Sequence, residues 1–367
     1  MSEVATLLVS LIAILAAARF FTNGVEWLGR HLELGEGAVG SVLAAVGTAM
    51  PETLIPIVAI LFVGGQHGSE IGIGALLGAP FMLSTLGFFI TGAAALAFRR
   101  RRRTGSVVVI NRRVLTRDLS HFLAFYLPAI GVSFAPHWIG LVVCGCLLAG
   151  YGRYLYVNLT EKATLETEGE PLSLHMLWSR LFFRREPGES RAAFHSRRHH
   201  HTLHTTPELT AVVAQVIIAL GGILVGAYVF VDAVREVSRS LGAPEMLVAL
   251  LIAPFATELP EKFNSVIWMG QSKDTLALGN MTGAMVFQSS IPVTVGIAFT
   301  QWRFTHIQHG HAGLISVGIA VFSAIFVLLA ARSRDGDHND RAHLSPWVLC
   351  IGLLFYIAFV ISVIEHF

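Results

Sequence analysis

Glu36-Gly-Ala-Val-Gly-Ser-Val-Leu-Ala-Ala-Val-Gly47-Thr48-Ala49-Met50-Pro51-Glu52 in the first half of the chain matches Glu245-Met-Leu-Val-Ala-Leu-Leu-Ile-Ala-Pro-Phe-Ala256-Thr257-Glu258-Leu259-Pro260-Glu261 in the second. The two stretches align without a gap and end on the same Pro-Glu pair. A short polar break follows each, then Gly74-Ala-Leu-Leu-Gly78 in one half and Gly279-Asn-Met-Thr-Gly283 in the other. The duplication therefore covers two consecutive helices, within 36–92 and 245–298. Finding such a repeat comes before weighing single motifs, because it fixes the architecture.

The rest of the chain places this repeat in a membrane. Hydrophobic residues make up 54% and charged residues only 14%, against about 25% charged in soluble domains, and mean hydropathy is +0.64. A soluble domain would lack polar surface, and a disordered chain would be far less apolar. Spanning helices need about 20 mostly apolar residues, and about ten such stretches are present. They run over 5–29, 37–64, 70–98, 118–135 and 138–158, then 207–234, 244–270, 274–300, 311–332 and 345–365. The expected fold is an all-α integral membrane protein with two five-helix halves, 1–158 and 207–367, joined by a polar, His-rich linker over 159–206. An odd number of spans per half sends the two copies into the bilayer in opposite senses, and inverted repeats are a transporter signature.

Orientation follows from the basic residues. Arg99 to Arg103, with Arg112, Arg113 and Arg117, follow the third span, and basic loops stay on the cytoplasmic side. That puts the N-terminus outside and the linker inside, with Arg332, Arg334 and Arg341 agreeing and Arg235 and Arg239 as an exception. Met1 to Ala5 lacks a basic signal-peptide start, so the first apolar stretch reads as a retained helix of a multi-pass cell-membrane protein. Cys144, Cys146 and Cys350 lie in apolar stretches without metal-site spacing and read as small core residues.

The chemistry concentrates at the two Pro-Glu motifs. A carboxylate at the middle of a spanning helix costs roughly 2.5–3.5 kcal/mol on insertion scales, so it is expected to face a cavity, a partner or an ion. Glu52, Glu258 and Glu261 are such residues. Thr48 precedes Glu52 by four residues and Thr257 precedes Glu261 by four, which puts hydroxyl and carboxylate on one helix face. Pro51 and Pro260 have no N–H for the carbonyl four residues back, freeing the Gly47 and Ala256 oxygens. Hard cations such as Ca²⁺ take six to eight oxygens at about 2.3–2.6 Å, and this set supplies them. Kinked helices with merely hydrogen-bonded glutamates are the bland alternative, made less attractive by the duplication. The Gly-xxx-Gly pairs favour close helix packing. On the second copy Asn280 and Gln288 share a face, and Gln288 can turn its amide oxygen toward the site.

These residues resemble the sodium/calcium exchanger family of the cation/Ca²⁺ exchanger superfamily, whose paired inverted repeats read Gly-Thr-Ser-x-Pro-Glu and then Gly-Asn-x-x-Gly-Ser-Asn-x-x-Asn or Asp. Gly47-Thr48-Ala49-Met50-Pro51-Glu52 and Ala256-Thr257-Glu258-Leu259-Pro260-Glu261 stand in the first pattern. The resemblance implies ten helices, an external N-terminus, and Thr and Glu as ion ligands in both copies. Its serines are replaced by Ala49, Ala79 and Ala284, its asparagines by Pro80 and Met285, and its last polar residue by Leu83 or Gln288. Oxygens that serve Na⁺ in the family are thereby lost, while Glu258 adds a carboxylate where the family has serine. Three carboxylates in a low-dielectric site need cations to neutralise them, so protons compete with the metal.

The implied function is secondary active antiport of Ca²⁺ or another divalent cation against Na⁺ or H⁺ by alternating access, with helices sliding past a central core. Inorganic cations and the bilayer are the implied partners, with no resident cofactor and no nucleic acid, and no motif fixes an oligomeric state. Two rival classes stand beside it. A cation channel or non-transporting sensor would keep the scaffold without the exchange. A membrane di-iron oxidative enzyme is the reading of His195, His199, His200, His201 and His204, although His306, His309 and His311 fall on the opposite side by loop count. A basic linker, or metal and pH sensing, is the other reading of those histidines.

Overall fold

In lipid every backbone N–H and C=O must be satisfied within its own segment, so long apolar runs become helices. The computed structural model describes residues 3–31, 50–160, 172, 208–304, 310–332 and 341–365. The first half contains α1 (Glu3–His31), α2 (Met50–Ile57), α3 (Gly65–Met82), α4 (Phe88–Ala97), α5 (Arg112–Gly131) and α6 (His137–Thr160). The second contains α7 (Leu209–Leu241), α8 (Glu245–Thr257), α9 (Leu259–Gly270), α10 (Asp274–Gln288), α11 (Ile291–Phe299), α12 (Gly310–Arg332) and α13 (Pro346–Glu365). Two short strands, β1 (Val108–Asn111) and β2 (Arg341–Leu344), pair antiparallel with Val108 opposite Leu344 and Asn111 opposite Arg341.

The protein is an all-α multi-pass membrane protein, and among the described residues seven helical stretches are long and apolar enough to span a bilayer. The other expected spans differ for identifiable reasons. Residues 37–49 lie outside the described residues, leaving the shorter apolar helix Pro51–Val63. The 118–135 span begins earlier, at Arg112, because Asn111 caps α5 by accepting from the Arg113 and Val114 amides. The 244–270 span is broken at Glu258 into α8 and α9. The linker lies outside the described residues apart from Leu159, Thr160 and Leu172. All three cysteines are free thiols, and Cys146 is exposed on α6 instead of in the core.

By contact density the chain forms two compact units, each drawing on both sequence halves. One comprises Met1–Leu11, Glu52–Tyr154 and Ala227–Phe367; the other comprises Ile12–Pro51 and Leu155–Gly226. In the smaller unit α1 and α7 are tied by Gln215, whose Nε2 donates to the Phe20 carbonyl at 2.8 Å and to Asn23 Oδ1 at 3.0 Å. Both helices turn large apolar side chains outward, Ile12 on one and Ile217 and Val225 on the other, as lipid-facing surfaces do.

In the larger unit, prolines shape the helices that carry the site. Pro56 has no N–H for the Glu52 carbonyl and Pro80 none for that of Leu76, and each is followed by a widened π-helical stretch, Val58–Val63 and Leu83–Gly87. Irregular backbone in a membrane must be satisfied by neighbours. Ser323 of α12 accordingly donates to the Ser84 carbonyl at 2.6 Å, and Gly352 of α13 leaves room for that of Thr85. The first Gly-xxx-Gly pair packs backbone to backbone: a Cβ on Gly74 would run into the Met246 carbonyl and one on Gly78 into that of Leu250. Thus α3 of the first half lies against α8, the helix that leads into the second Pro-Glu motif. The later pair, Gly279 and Gly283, meets only side chains, Val114 and Tyr154.

Beyond α4 the arginine run is partly folded in. Arg102 is buried, its Nη2 donating to Asp274 Oδ2 at 2.6 Å and to the Val107 carbonyl at 3.0 Å, and the same Asp274 oxygen accepts from the Val109 amide at 2.8 Å. Burial draws the Arg102 pKa down and Asp274 opposes it. This pair seats the loop and β1 on the start of α10. For the helix crossing, Gly78→Val is expected to destabilise the protein by about 1–3 kcal/mol through overpacking, read as a lower melting temperature in detergent. An unchanged temperature would mean that α3 and α8 are not in backbone contact.

Candidate functional site

The break between α8 and α9 positions the second motif. Pro260 cannot donate to the Ala256 carbonyl, α8 stops at Thr257, and Glu258 sits between the helices at φ −85°, ψ 7°. The Glu258 amide still reaches the Pro254 carbonyl at 3.2 Å, and the Lys262 amide reaches that of Glu258 at 3.1 Å, so the backbone stays bonded on both sides of the gap that Pro260 leaves. One expectation changes: Thr257 and Glu261 do not share the face of one continuous helix, because the break falls between them. The Thr257 hydroxyl donates to the Ala253 carbonyl at 3.0 Å, leaving its lone pairs available. In the first motif Glu52 lies in the opening turn of α2, while Thr48 and Gly47 lie outside the described residues.

The side chains that gather here are deeply buried and poorly satisfied. Glu52, Glu261, Lys262 and Gln288 are each at most 7% exposed, and Glu258 is fully enclosed. Gln288 Nε2 donates to Glu258 Oε1 at 3.4 Å, and the Lys262 ammonium lies 3.3 Å from Glu258 Oε2. Among the described residues, both carboxylate oxygens of Glu52, one each of Glu258 and Glu261, and the amide oxygen of Gln288 have no hydrogen-bond partner. Native proteins leave few such atoms, and each calls for an explanation. The charges of Glu261, Glu258 and Lys262 all reach Glu52, so residues from both halves form one electrostatic unit.

Sequence reasoning expected Glu52, Glu258, Glu261 and Gln288 to act together, and the structure brings them into this unit. Among the described residues no three His, Cys, Asp or Glu side chains converge tightly enough to enclose a metal ion. Asn280 serves as support: its Nδ2 donates to the Glu261 carbonyl at 3.2 Å, and Ser265 ties α9 to α10 through the Ala277 carbonyl at 2.8 Å. Lys262 was not foreseen, though its place four residues after Glu258 is an ion-pair signal. A further buried carboxylate, Asp118 on α5, accepts from Thr282 of α10 at 2.8 Å and Tyr154 of α6 at 3.0 Å.

A family model described as sodium/calcium exchanger protein matches residues 2–160 and 211–364. The chain belongs to that family. An uncharacterized membrane protein of Methanocaldococcus jannaschii is 21% identical over 348 residues, covering 95% of this chain and 96% of its own length. Among solved structures, the H⁺/Ca²⁺ exchanger CAX superposes with TM-score 0.65 at 15% identity, over 98% of this chain and 82% of that one. The sodium-calcium exchanger NCX_Mj superposes with TM-score 0.54 at 18% identity, over 99% and 98%. These likenesses show a shared fold. As a member of the sodium/calcium exchanger family the chain is a membrane cation transporter, which removes the di-iron enzyme reading; most of the histidines behind that reading lie outside the described residues, and His311 is exposed at the start of α12.

Two unpartnered oxygens on one buried carboxylate are a cost to the fold, since unmet buried polar groups lose about 1–3 kcal/mol or more. Glu52→Gln is therefore expected to melt no lower than the wild type in chelator-containing, metal-free buffer. A clear fall in melting temperature would show that Glu52 is held by a structural partner.

Proposed function

We propose that this chain is a secondary active antiporter that carries a divalent cation, Ca²⁺ foremost, in exchange for protons by alternating access. Glu52 and Glu261 hold the cation between the two inverted halves, Gln288 and the Thr48 and Thr257 hydroxyls add neutral oxygens, and the Gly47 and Ala256 carbonyls complete the shell. The observation that carries this reading is Glu52, buried in an apolar helix, its two oxygens without a hydrogen-bond partner among the described residues and within reach of the charge of Glu261 from the second half. A carboxylate there needs an ion or a proton.

H⁺ is favoured over Na⁺ as counter-ion by what surrounds the carboxylates. Ala79, Leu83 and Met285 are buried and apolar where a Na⁺ shell would need neutral oxygens, and Pro80 has neither a polar side chain nor an amide proton. Removing a divalent cation leaves carboxylates that protons can neutralise without further ligands. The names of the two similar solved exchangers fit this pairing, Ca²⁺ being common to both and H⁺ to one. The basic segment after α4 supports an external N-terminus and a cytoplasmic linker.

Proteoliposomes tested with Ca²⁺, Mg²⁺, Mn²⁺, Na⁺ and K⁺ against a pH gradient or internal Na⁺ are expected to take up Ca²⁺ only when protons move the other way. Glu261→Gln removes a charged ligand worth roughly 1.5–3 kcal/mol, so about ten- to a hundredfold weaker uptake is expected. Ca²⁺ flux without any counter-ion would make the protein a channel, and no flux for any pair would count against transport.

A further inference from the structure

The two repeats differ at the site by one balanced addition of charge. Glu258 and Lys262 of the second copy correspond to Ala49 and Thr53 of the first, so the second copy carries both a carboxylate and an ammonium, four residues apart, where the first carries neither. Both are buried, Glu258 fully and Lys262 to 3% exposure. The ammonium lies 3.3 Å from Glu258 Oε2 and 5.6 Å from the centre of the Phe255 ring, and among the described residues it meets no acceptor besides Glu258. A lysine serving only to fasten helices would direct its donors at backbone or side-chain acceptors. This one makes a charge contact with a site carboxylate and a cation–π contact, the environment in which a bare monovalent cation would sit.

Its charge also reaches past its partner. Lys262 acts on Glu52 and Glu261 as well as on Glu258. With every group ionised, the three carboxylates exceed the single ammonium by two negative charges, which one divalent cation cancels. Without the ammonium, a divalent cation would leave one negative charge buried, and a second, mobile cation would have to accompany it.

We propose that the Lys262 ammonium is a tethered cation standing in for a mobile monovalent ion beside Glu258, so that the site is neutralised by one divalent cation alone. The proposal rests on the antiporter reading for its divalent half, but its monovalent half stands on the Glu258–Lys262 pair. Lys262 is thereby a residue that sets ion selectivity and the number of ions bound. Removing it leaves the Glu258 carboxylate, a hard oxygen ligand, without its counter-charge and with the Gln288 amide donating to its other oxygen.

The test is thermal melting of the purified full-length protein in detergent as Na⁺ replaces choline at constant ionic strength. Wild type and the Glu258→Gln/Lys262→Met double variant are expected to melt at temperatures insensitive to Na⁺. Lys262→Met is expected to melt lower without Na⁺ and to recover by several degrees along a saturating Na⁺ curve, since ligands that bind the folded state stabilise it. Lys262→Gln, which keeps a polar group but no charge, repeats the measurement if Lys262→Met does not fold. A flat Na⁺ response in both single variants, with the double variant folded, overturns the proposal, as does a wild type that responds to Na⁺ as steeply as they do. Ca²⁺ titration of the wild type separates the two readings: no Ca²⁺ stabilisation alongside a Na⁺ response in Lys262→Met removes the divalent transport reading and leaves the tethered cation standing.

Discussion

A carboxylate in the low-dielectric interior of a membrane protein must be neutralised, and the rest of this structure is organised around that constraint. Glu52 comes from the first half of the chain and Glu258 and Glu261 from the second, and the charges of the latter two reach Glu52. Among the described residues, the cation in contact with these acids is Lys262, paired with Glu258. The imbalance cannot be relieved by solvent, so it becomes affinity for a cation or a proton. Under the proposed function, the cost of burying the acids and the capacity to bind the cargo are the same quantity seen in different ion-loading states.

Holding such a site requires helices that are broken where the acids lie and tightly packed elsewhere. Pro260 breaks the helix at Glu258, and Pro56 and Pro80 precede widened turns. Close packing is supplied by Gly74 and Gly78, which let α3 rest on the backbone of α8, and by serine and asparagine side chains that tie adjacent helices together. Remote from the acids, Arg102 and Asp274 fasten the loop after α4 to the beginning of α10. The protein thus combines irregular backbone near the buried acids with close helix crossings around them.

Much of this was legible in the sequence because the signals were strong and duplicated. Apolar runs of spanning length fixed the fold class, and the Pro-Glu pairs in alignment singled out Glu52 and Glu261 from all other acids. Gln288 was found through helical spacing. The break between Thr257 and Glu261 was harder to see: Pro260 signals a lost hydrogen bond, but whether a helix bends or stops depends on what packs around it. Lys262 escaped notice because a cation directly after a motif glutamate looks like a flanking charge until burial shows that it faces inward. Asp118 stood at the edge of an apolar run, where a carboxylate is usually solvated, and only its bonds to Thr282 and Tyr154 reveal an interior position.

The central assignment is that Glu52 and Glu261 hold one divalent cation between the halves. Anomalous diffraction from crystals soaked in Sr²⁺ tests it most directly. One peak is expected, with carboxylate oxygens of both glutamates at roughly the 2.3–2.6 Å typical of the lighter Ca²⁺, or slightly farther. An empty site between them, with Sr²⁺ bound elsewhere on the protein, would contradict it.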